Sequence, residues 1–340
     1  MDTLVDDVGS FPLPQNVDRE TFNKAYRASR EAIAKGTDLS KEEFLRKNFS
    51  EVVLDSFKKK LQAGLDVPNF PQHYDGVKQI GEVIHKAMDN GTFVVEERDA
   101  FLPEVHVINE EAKRLSEEFG KKILLRVSLF GPMEMYLKEV GTTPYPDVLE
   151  GFAENIRRFA KNSILNTKYV KTEVVCIDEP SFGFLNINAE KDELCAVLEK
   201  AFAFEGATRQ IHLHSSTRLP DLLRVKNIDV LTFEYAASPI NIEGVSKRML
   251  EAADKHVRVG ISRTDIDAIT AELNDKGVSK PTAEQLVETE ETIKKRYVFA
   301  KEKFGEQITF TGPDCGLGGW PSQEAAQLLL ERTVRAVKAC

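Results

Sequence analysis

The chain has 340 residues, of which 41% are hydrophobic and 30% are charged, a composition typical of a globular protein with a full apolar core. Its net charge of −9 argues against a nucleic-acid-binding surface, and no apolar run reaches the roughly 20 residues of a membrane span. Four scattered cysteines, and an N-terminus without the basic and apolar regions of a signal peptide, predict a protein of the reducing cytoplasm.

Eight short β-rich apolar runs alternate with longer amphipathic stretches along the chain. The runs that predict strands are Leu4–Ser10, Gly64–Phe70, Ile123–Phe130, Val174–Asp178, Arg209–His214, Val230–Tyr235, Val257–Ser262 and Ile308–Gly312. Helix starts are indicated by the segments that begin at Asp18, Thr282 and Pro321. Eight strand–helix alternations predict a parallel sheet closed into a single (β/α)8 TIM barrel. An open doubly wound sheet is the alternative, but no Gly-x-Gly-x-x-Gly follows the first strand.

Two stretches depart from a regular alternation. The connection between the first and second strands, about residues 12–63, is long enough to hold two helices. Thr92–Ala100 indicates an inserted hairpin or irregular segment before the third strand. Because no low-complexity linker divides the chain, we expect residues 1–340 to form one catalytic domain.

Polar side chains collect at the ends of five of the predicted strands. Ser10, Asp178, His214, Glu234 and Cys315 lie at or just beyond the ends of the first, fourth, fifth, sixth and eighth strands. In a TIM barrel the carboxyl ends of all strands meet at one rim, where the active site lies. The sequence therefore predicts a binding site at this rim.

Part of this set has the chemistry of a zinc site. A strand points residues two apart to the same face, so His212 and His214 can converge on one ion, and Cys315 offers a soft third ligand. Nitrogen and sulfur together favour zinc over magnesium or calcium. Zinc that holds a thiol as thiolate suits alkyl transfer, with Glu234 at an exchangeable position. Two hydrogen-bonded histidines and a buried structural cysteine are the alternative, and hydrolytic zinc is a competing use.

The same segments resemble the catalytic C-terminal half of cobalamin-independent methionine synthase, and more closely its short core versions. Val8–Pro12 is similar to the family's Ile-Gly-Ser-Phe-Pro segment, which contacts the amino-acid thiol substrate. Ile177–Pro180 matches the family's Ile-Asp-Glu-Pro, whose aspartate holds the substrate amino group. Glu234 and Cys315 stand where the family has two of its four zinc ligands, and Asp-Cys-Gly-Leu around Cys315 is the most specific match.

The resemblance is incomplete at the other two ligands. The family has His-x-Cys there, and this chain has no cysteine at that place. If His212 takes the histidine position, His214 replaces the cysteine and four ligands remain. If His214 takes it, Ser216 replaces the cysteine and the site is weaker. The spacing to Glu234 favours the first alignment and the preceding Gln-Ile favours the second. We prefer the first because it keeps a complete tetrahedral set.

Two further departures concern the substrates. Aligning Ile80-Gly81-Glu82 places Lys78 where the family has a glutamate that binds the substrate amine; a local slip of this alignment, with Lys78 a solvated helix residue, is the alternative. The family's histidine after the seventh strand is absent from Gly260–Asp265. With the family's N-terminal half also lacking, the resemblance implies that a methylated corrinoid protein or methylcobalamin, rather than methyl-tetrahydrofolate, donates the methyl group.

The resemblance thus implies a zinc-dependent methyltransferase that methylates homocysteine to methionine. Its catalytic residues would be Asp178 and Glu234, with Val8, Ser10 and Lys78 beside Asp178 in substrate binding. An alternative acceptor is coenzyme M, whose sulfonate Lys78 would face. A second alternative is a metal-binding protein that has lost catalysis. We expect neither a nucleic-acid nor a membrane partner.

Overall fold

A parallel β-sheet forms the centre of the computed structural model, which describes residues 3–185 and 187–340. The strands of these residues are β1 Leu4–Val5, β2 Ile123–Phe130, β3 Val170–Asp178, β4 Thr208–Leu213, β5 Val230–Glu234, β6 His256–Ser262 and β7 Ile308–Pro313. Their order across the sheet is β1-β7-β6-β5-β4-β3-β2, and every neighbouring pair is parallel. Seven predicted strands are therefore confirmed, although β1 is shorter than expected.

The stretch predicted as the second strand connects the two outer strands of this sheet. Val67 forms a parallel bridge with Asp6, just beyond β1, and Asn69 forms one with Arg126 in β2. Pro68, between the two bridging residues, has no N–H to donate, which prevents a continuous ladder of hydrogen bonds. Among the described residues, the predicted second strand, Gly64–Phe70, is thus replaced by two isolated bridges.

Helices surround the sheet. They are α1 Arg19–Ala34, α2 Glu43–Leu45, α3 Glu51–Gln62, α4 Gly76–Asp89, α5 Pro103–Glu110, α6 Ala112–Phe119, α7 Pro132–Glu139, α8 Pro146–Asn162, α9 Lys191–Ala201, α10 Leu219–Leu222, α11 Lys247–Ala253, α12 Ile266–Asp275, α13 Ala283–Leu286, α14 Glu290–Phe304 and α15 Gln323–Lys338. None of the described helices is long and apolar enough to cross a membrane. The long connection contains α1 to α3, and the stretch predicted as a hairpin or irregular segment contains a 3-10 turn, Glu97–Asp99.

The helix starts follow from local capping. The Asp18 carboxylate accepts a hydrogen bond from the backbone N–H of Thr21 at the start of α1. Thr282 forms a reciprocal capping box with Gln285 at the start of α13, as its spacing predicts. Ser322 caps α15 in the same manner as Asp18 caps α1.

The residues that point into the sheet's concave side change from apolar to polar along the strands. Val174 in β3 and Val230 in β5 belong to a small buried apolar cluster. Two residues later come Cys176 and Thr232, and two residues later again come Asp178 and Glu234 at the strand ends. Because side chains on one face recur every second residue, the site rests on a polar layer, which itself rests on an apolar one.

The middle layer contains a buried network of ion pairs and hydrogen bonds that joins three strands to the end of a fourth. Asp6 accepts from Arg126 Nη1 and from Arg258 Nε, each at 2.5 Å, and all three side chains are inaccessible to solvent. Arg126 also donates to Gln210 Oε1 at 2.7 Å. Since these residues belong to β2, β4, β6 and the end of β1, the network holds opposite parts of the sheet at a fixed separation.

Candidate metal and substrate site

Four side chains from three strand ends converge at the carboxyl edge of the sheet. One ligand atom from each of His212, His214, Glu234 and Cys315 lies within 4.8 Å of the other three. His214 Nε2 is 3.4 Å from Cys315 Sγ and 3.5 Å from Glu234 Oε1. The four residues that the sequence predicts as ligands are therefore neighbours in the fold, although the first and the last lie 103 positions apart in the chain.

The register of the sheet explains why these side chains meet. Asp178 pairs with His212 across β3 and β4, and His212 pairs with Thr232 across β4 and β5. Glu234, two residues after Thr232, therefore lies on the same face and one step nearer the rim. Cys315 follows β7, which lies on the far side of β6 in the same sheet.

The donor set fits zinc. His212 is 2% exposed, and neither of its ring nitrogens has a hydrogen-bond partner in the described part of the chain, as expected of a ring that is held to bind an ion. Tetrahedral zinc with nitrogen, oxygen and sulfur ligands requires separations of about 3.3–3.8 Å between ligand atoms. The distances from His214 Nε2 to Cys315 Sγ and to Glu234 Oε1, 3.4 and 3.5 Å, lie within that range.

Burial controls the protonation of these groups in the absence of a cation. It lowers the pKa of His212 and His214, which keeps both imidazoles neutral as metal binding requires. It raises the pKa of Glu234 to about 8, with the charge of Asp314 adding to the effect, and it also raises the pKa of Cys315. A divalent cation would reverse the penalty on the last two groups, because it stabilises the carboxylate and the thiolate.

Asp178 lies next to this group and has a free acceptor. Its side chain is 9% exposed, and Oδ1 has no hydrogen-bond partner in the structure as described. Burial raises its pKa to about 7, whereas the Arg126 guanidinium, a hydrogen bond with the Cys176 thiol and the Arg258 guanidinium act in the opposite direction. Asp178 is thus placed to accept a hydrogen bond from a ligand or to pair with a cationic group of a ligand.

Glu179, the next residue, has a structural role instead. Its carboxylate accepts from the backbone N–H groups of Met133 at 2.9 Å and Glu134 at 2.7 Å, at the start of α7. Gly131 permits this approach, since a Cβ there would lie 2.1 Å from Glu179 Oε1. The two carboxylates of the Asp-Glu-Pro segment therefore differ in role: that of Glu179 caps α7, and that of Asp178 is available to a ligand.

Ser10 and Val8 line the first strand end, but their polar atoms contact the protein. The Ser10 hydroxyl accepts from Gly318 N at 3.1 Å, and its carbonyl accepts from Leu317 N at 2.7 Å. A Cβ on Gly316 would lie 2.3 Å from Ser10 Oγ, so the loop that follows Cys315 rests directly on Ser10. The Val8 side chain is buried and 4% exposed. These contacts tie the first strand end to the loop that carries the thiol.

Lys78 and Ser216 lie outside the four-residue group. Lys78 is exposed in the first turn of α4, where its backbone N–H donates to Asp75. Ser216 is 7% exposed, and its hydroxyl packs so closely on Gly244 that a Cβ there would be 2.3 Å away.

Two buried residues that the sequence did not single out organise the site. Asn241 donates from Nδ2 to the carbonyls of His214 at 2.8 Å and Glu234 at 2.9 Å. Asp314 accepts from three successive backbone N–H groups, those of residues 235 to 237. The position of Asp314 beside Cys315 was a usable signal, whereas nothing in the sequence around Asn241 pointed to its role.

Comparisons with known proteins identify the type of fold and no protein family. No protein-family profile matches the chain, and no curated protein does. Among solved structures, a B12-independent methionine synthase from a Shewanella species, in complex with selenomethionine, has a TM-score of 0.60 and 15% identity over 100% of this chain and 98% of its own. A homocysteine methyltransferase from Escherichia coli has a TM-score of 0.42 and 11% identity over 98% of this chain and 96% of its own.

A third similar structure, an endo-β-1,4-mannanase from Thermotoga petrophila, has a TM-score of 0.43 and 12% identity over 98% of this chain and 78% of its own. The sheet and the first of these similarities define the class of the protein as an α/β fold of the TIM-barrel type.

Proposed function

We propose that the protein is a zinc-dependent methyltransferase that methylates a thiol, and that the thiol is homocysteine. The observation that carries the proposal is the group formed by His212, His214, Glu234 and Cys315, with ligand atoms within 4.8 Å of one another. It lies at the carboxyl edge of a parallel sheet, next to the free acceptor of Asp178. That arrangement combines a soft metal site with a group suited to bind an amino acid.

The four side chains would hold zinc in two ways, three of them permanently and one exchangeably. Bound zinc would supply a Lewis acid that holds the substrate thiol as a thiolate at neutral pH. His212, His214 and Cys315 are the permanent ligands. Glu234 would be the exchangeable one, because a carboxylate can yield its place as the soft sulfur of the substrate enters.

The acceptor is assigned from Asp178. Its Oδ1, which has no hydrogen-bond partner among residues 3–185 and 187–340, suits the ammonium group of an amino-acid thiol. A charge-assisted bond of this kind contributes about 1.5–3 kcal/mol. Ser10 and Val8 would shape the same side of the pocket through the first strand end. Lys78 is exposed on α4, and we keep its contact with a substrate for the alternative in which the acceptor is an anion such as coenzyme M.

The donor is assigned from the resemblance stated above, and we propose a methylated corrinoid, free or bound to a partner protein. Such a donor would supply a methyl group whose bond to cobalt breaks as the thiolate sulfur bonds to its carbon, and the electron pair of the broken bond would remain with the corrinoid. The residues described here contribute by holding the thiolate in line with the methyl group, and such alignment supplies much of the rate enhancement.

The test is thiol-dependent demethylation of methylcobalamin, followed by its absorbance, with homocysteine and then with coenzyme M. We expect turnover with homocysteine by the zinc-loaded protein and none by Cys315→Ala. Turnover with coenzyme M alone would replace homocysteine as the acceptor. No turnover with either thiol, in protein that contains zinc, would favour the metal-binding alternative.

We also propose that the segment around Pro68 takes the place of the second strand in a barrel of eight positions, and that the chain forms one domain. Its two bridges, to residues in the two outer strand regions, support this, as does a buried core that extends from Val5 to Val337. The reducing cytoplasm suits this function, because Cys315 must remain a thiol and the four cysteines are free.

A further inference from the structure

We propose that Asn241 and Asp314 act together as a backbone clamp that fixes the metal ligands before the metal binds. The proposal rests on the function proposed above and goes beyond it, since neither residue is a ligand. Both side chains are buried, with 6% of Asn241 and none of Asp314 exposed. Both are positioning residues, because they contact the backbone of ligand-bearing segments and not the ligand atoms.

Asn241 joins the ends of β4 and β5. The paired residues of these strands end at Leu213 and Phe233, so the carbonyls of the next residues, His214 and Glu234, lie beyond the ladder. Asn241 Nδ2 donates to both carbonyls, at 2.8 and 2.9 Å. The amide group thus extends the connection between the strands by one residue pair, and that pair is the one that carries two ligands.

The other end of the same amide fixes the loop after β4. Asn241 Oδ1 accepts from the backbone N–H of Ser216 at 3.1 Å. All three hydrogen bonds are buried or partly buried, so each is shielded from exchange with solvent. Rotation of the amide out of this place would free two carbonyls and one N–H at once.

Asp314 performs the corresponding task between β5 and β7. Its Oδ1 accepts from Tyr235 N and Ala236 N, both at 3.0 Å, and its Oδ2 accepts from Ala237 N at 2.7 Å. Three successive N–H groups that converge on one carboxylate form a compact anion-binding turn. Because Asp314 directly precedes Cys315, this turn fixes the thiol relative to Glu234.

Glycine at position 260 makes room for this contact. A Cβ on Gly260 would lie 2.3 Å from Asp314 Oδ1 and 2.6 Å from its Cα. Asn241 and Asp314 together therefore connect three of the four ligand-bearing residues through their main chains. The ligand side chains remain free to bind, and Glu234 can leave the metal while its own backbone stays in place.

If the clamp fixes the ligands, removing the Asn241 side chain should weaken zinc binding, and the loss of fold stability alone should not account for this effect. Outer-shell groups that orient metal ligands typically change affinity about 10- to 100-fold when they are removed. We expect a loss in this range for Asn241→Ala, measured as the zinc dissociation constant by competition with a chromophoric chelator. In the cobalt(II)-substituted protein, the thiolate-to-metal absorption of Cys315 should shift or weaken as well.

Asn155→Ala is the matched control. Asn155 is also a buried asparagine that ties backbone, accepting from Val95 N at 2.8 Å and donating to Phe93 O at 3.1 Å, but it lies on α8. We expect Asn155→Ala to lower the Tm of the metal-free protein at least as much as Asn241→Ala does, and to leave the zinc dissociation constant within about twofold of wild type, since it touches no ligand segment.

The outcomes separate the two proposals. Equal zinc affinity in wild type and Asn241→Ala would overturn the clamp while leaving the proposed function intact. Wild-type protein that binds no zinc would overturn both, and zinc binding without methyl transfer would overturn only the function. If Asn241→Ala does not fold, Asn241→Asp serves in its place. It keeps the acceptor for Ser216 N and loses the two donors, so the same loss of affinity is expected.

Discussion

Cys315 provides the one sulfur among the four grouped side chains, and its removal is the most direct test of the metal site at the scale of a residue. We expect Cys315→Ala to lose most of its bound zinc, because three ligands remain where a closed tetrahedral site needs four. Cys176→Ala is the control, since Cys176 is buried within β3 below the site. Elemental analysis of freshly purified protein measures both. Equal zinc content in wild type and Cys315→Ala would remove Cys315 from the ligand set.

The same measurement decides between the two histidine alignments. His212→Ala and His214→Ala should both reduce bound zinc, since each offers a ring nitrogen to the group. Ser216→Ala should retain it, because the Ser216 hydroxyl packs on Gly244. Zinc lost in Ser216→Ala but kept in His212→Ala would reverse the alignment.

The proposal that homocysteine is the methyl acceptor depends on Asp178. We expect Asp178→Asn to lower kcat/KM for homocysteine about 10- to 100-fold without removing zinc, the range that loss of a charge-assisted bond implies. Lys78→Ala should have little effect on the same reaction, because Lys78 is exposed in the first turn of α4. Steady-state methyl transfer measures both. The reverse pattern, a damaging Lys78→Ala and a silent Asp178→Asn, would indicate an anionic acceptor such as coenzyme M.

Glu104 gives the protein a pH-dependent stability that is unrelated to the site. It is fully buried, accepts from Gln79 Nε2 at 3.0 and 3.1 Å, and burial raises its pKa to about 8 from an ordinary 4.5. A raised carboxyl pKa stabilises the fold fully below the unfolded value and loses that contribution as the pH rises to about 8. Glu104→Gln should therefore match wild type near pH 4 and exceed it by about 3–5 kcal/mol at pH 8.5.

Urea unfolding at both pH values measures the difference. Gln79 Oε1, which has no hydrogen-bond partner in the described chain, is available to the new amide. A Glu104→Gln advantage that is the same at both pH values would show that Glu104 does not titrate with the raised pKa.

At the scale of the element, the carboxylate of Glu179, the residue that follows β3, caps the start of α7. Glu179→Ala would leave the N–H groups of Met133 and Glu134 without their acceptor in a buried place, and we expect a loss of about 1–2 kcal/mol in unfolding free energy. Glu190→Ala is the matched control, because Glu190 caps α9 by a local capping box on the surface and should cost less. Denaturant unfolding compares the two. Equal losses would mean that burial adds nothing to the cap of α7.

At the scale of the whole molecule, the Asp6–Arg126–Arg258 network joins strands that are distant in sequence. Asp6→Asn would remove the one carboxylate that both guanidinium groups contact, and we expect a loss of about 3–5 kcal/mol in unfolding free energy. Glu20→Gln, which breaks an exposed pair with Lys24, should change stability by less than about 0.5 kcal/mol. Equilibrium unfolding in urea measures both. A small effect of Asp6→Asn would mean that the network does not stabilise the sheet.

The alternation of strands and helices, and the residues at the strand ends, followed from the sequence by itself. Apolar runs with a period of two, and caps such as Asp18 and Thr282, are local signals, and they predicted elements that the fold contains. The sequence also predicted that His212 and His214 lie side by side, because residues two apart on a strand share a face. Parallel strands then bring Glu234 and Cys315 to the same edge.

Only the tertiary structure decided which neighbours these residues have. Pro68 interrupts a run that reads as a strand, and its two bridges depend on partners in the distant β1 and β2 regions. Asn241 reaches a carbonyl 27 residues away, and Glu179 caps a helix that begins 47 residues earlier in the chain. A hydrogen bond between side chain and backbone requires placement within a fraction of an ångström. No local pattern sets that placement, because it depends on the packing of the whole sheet.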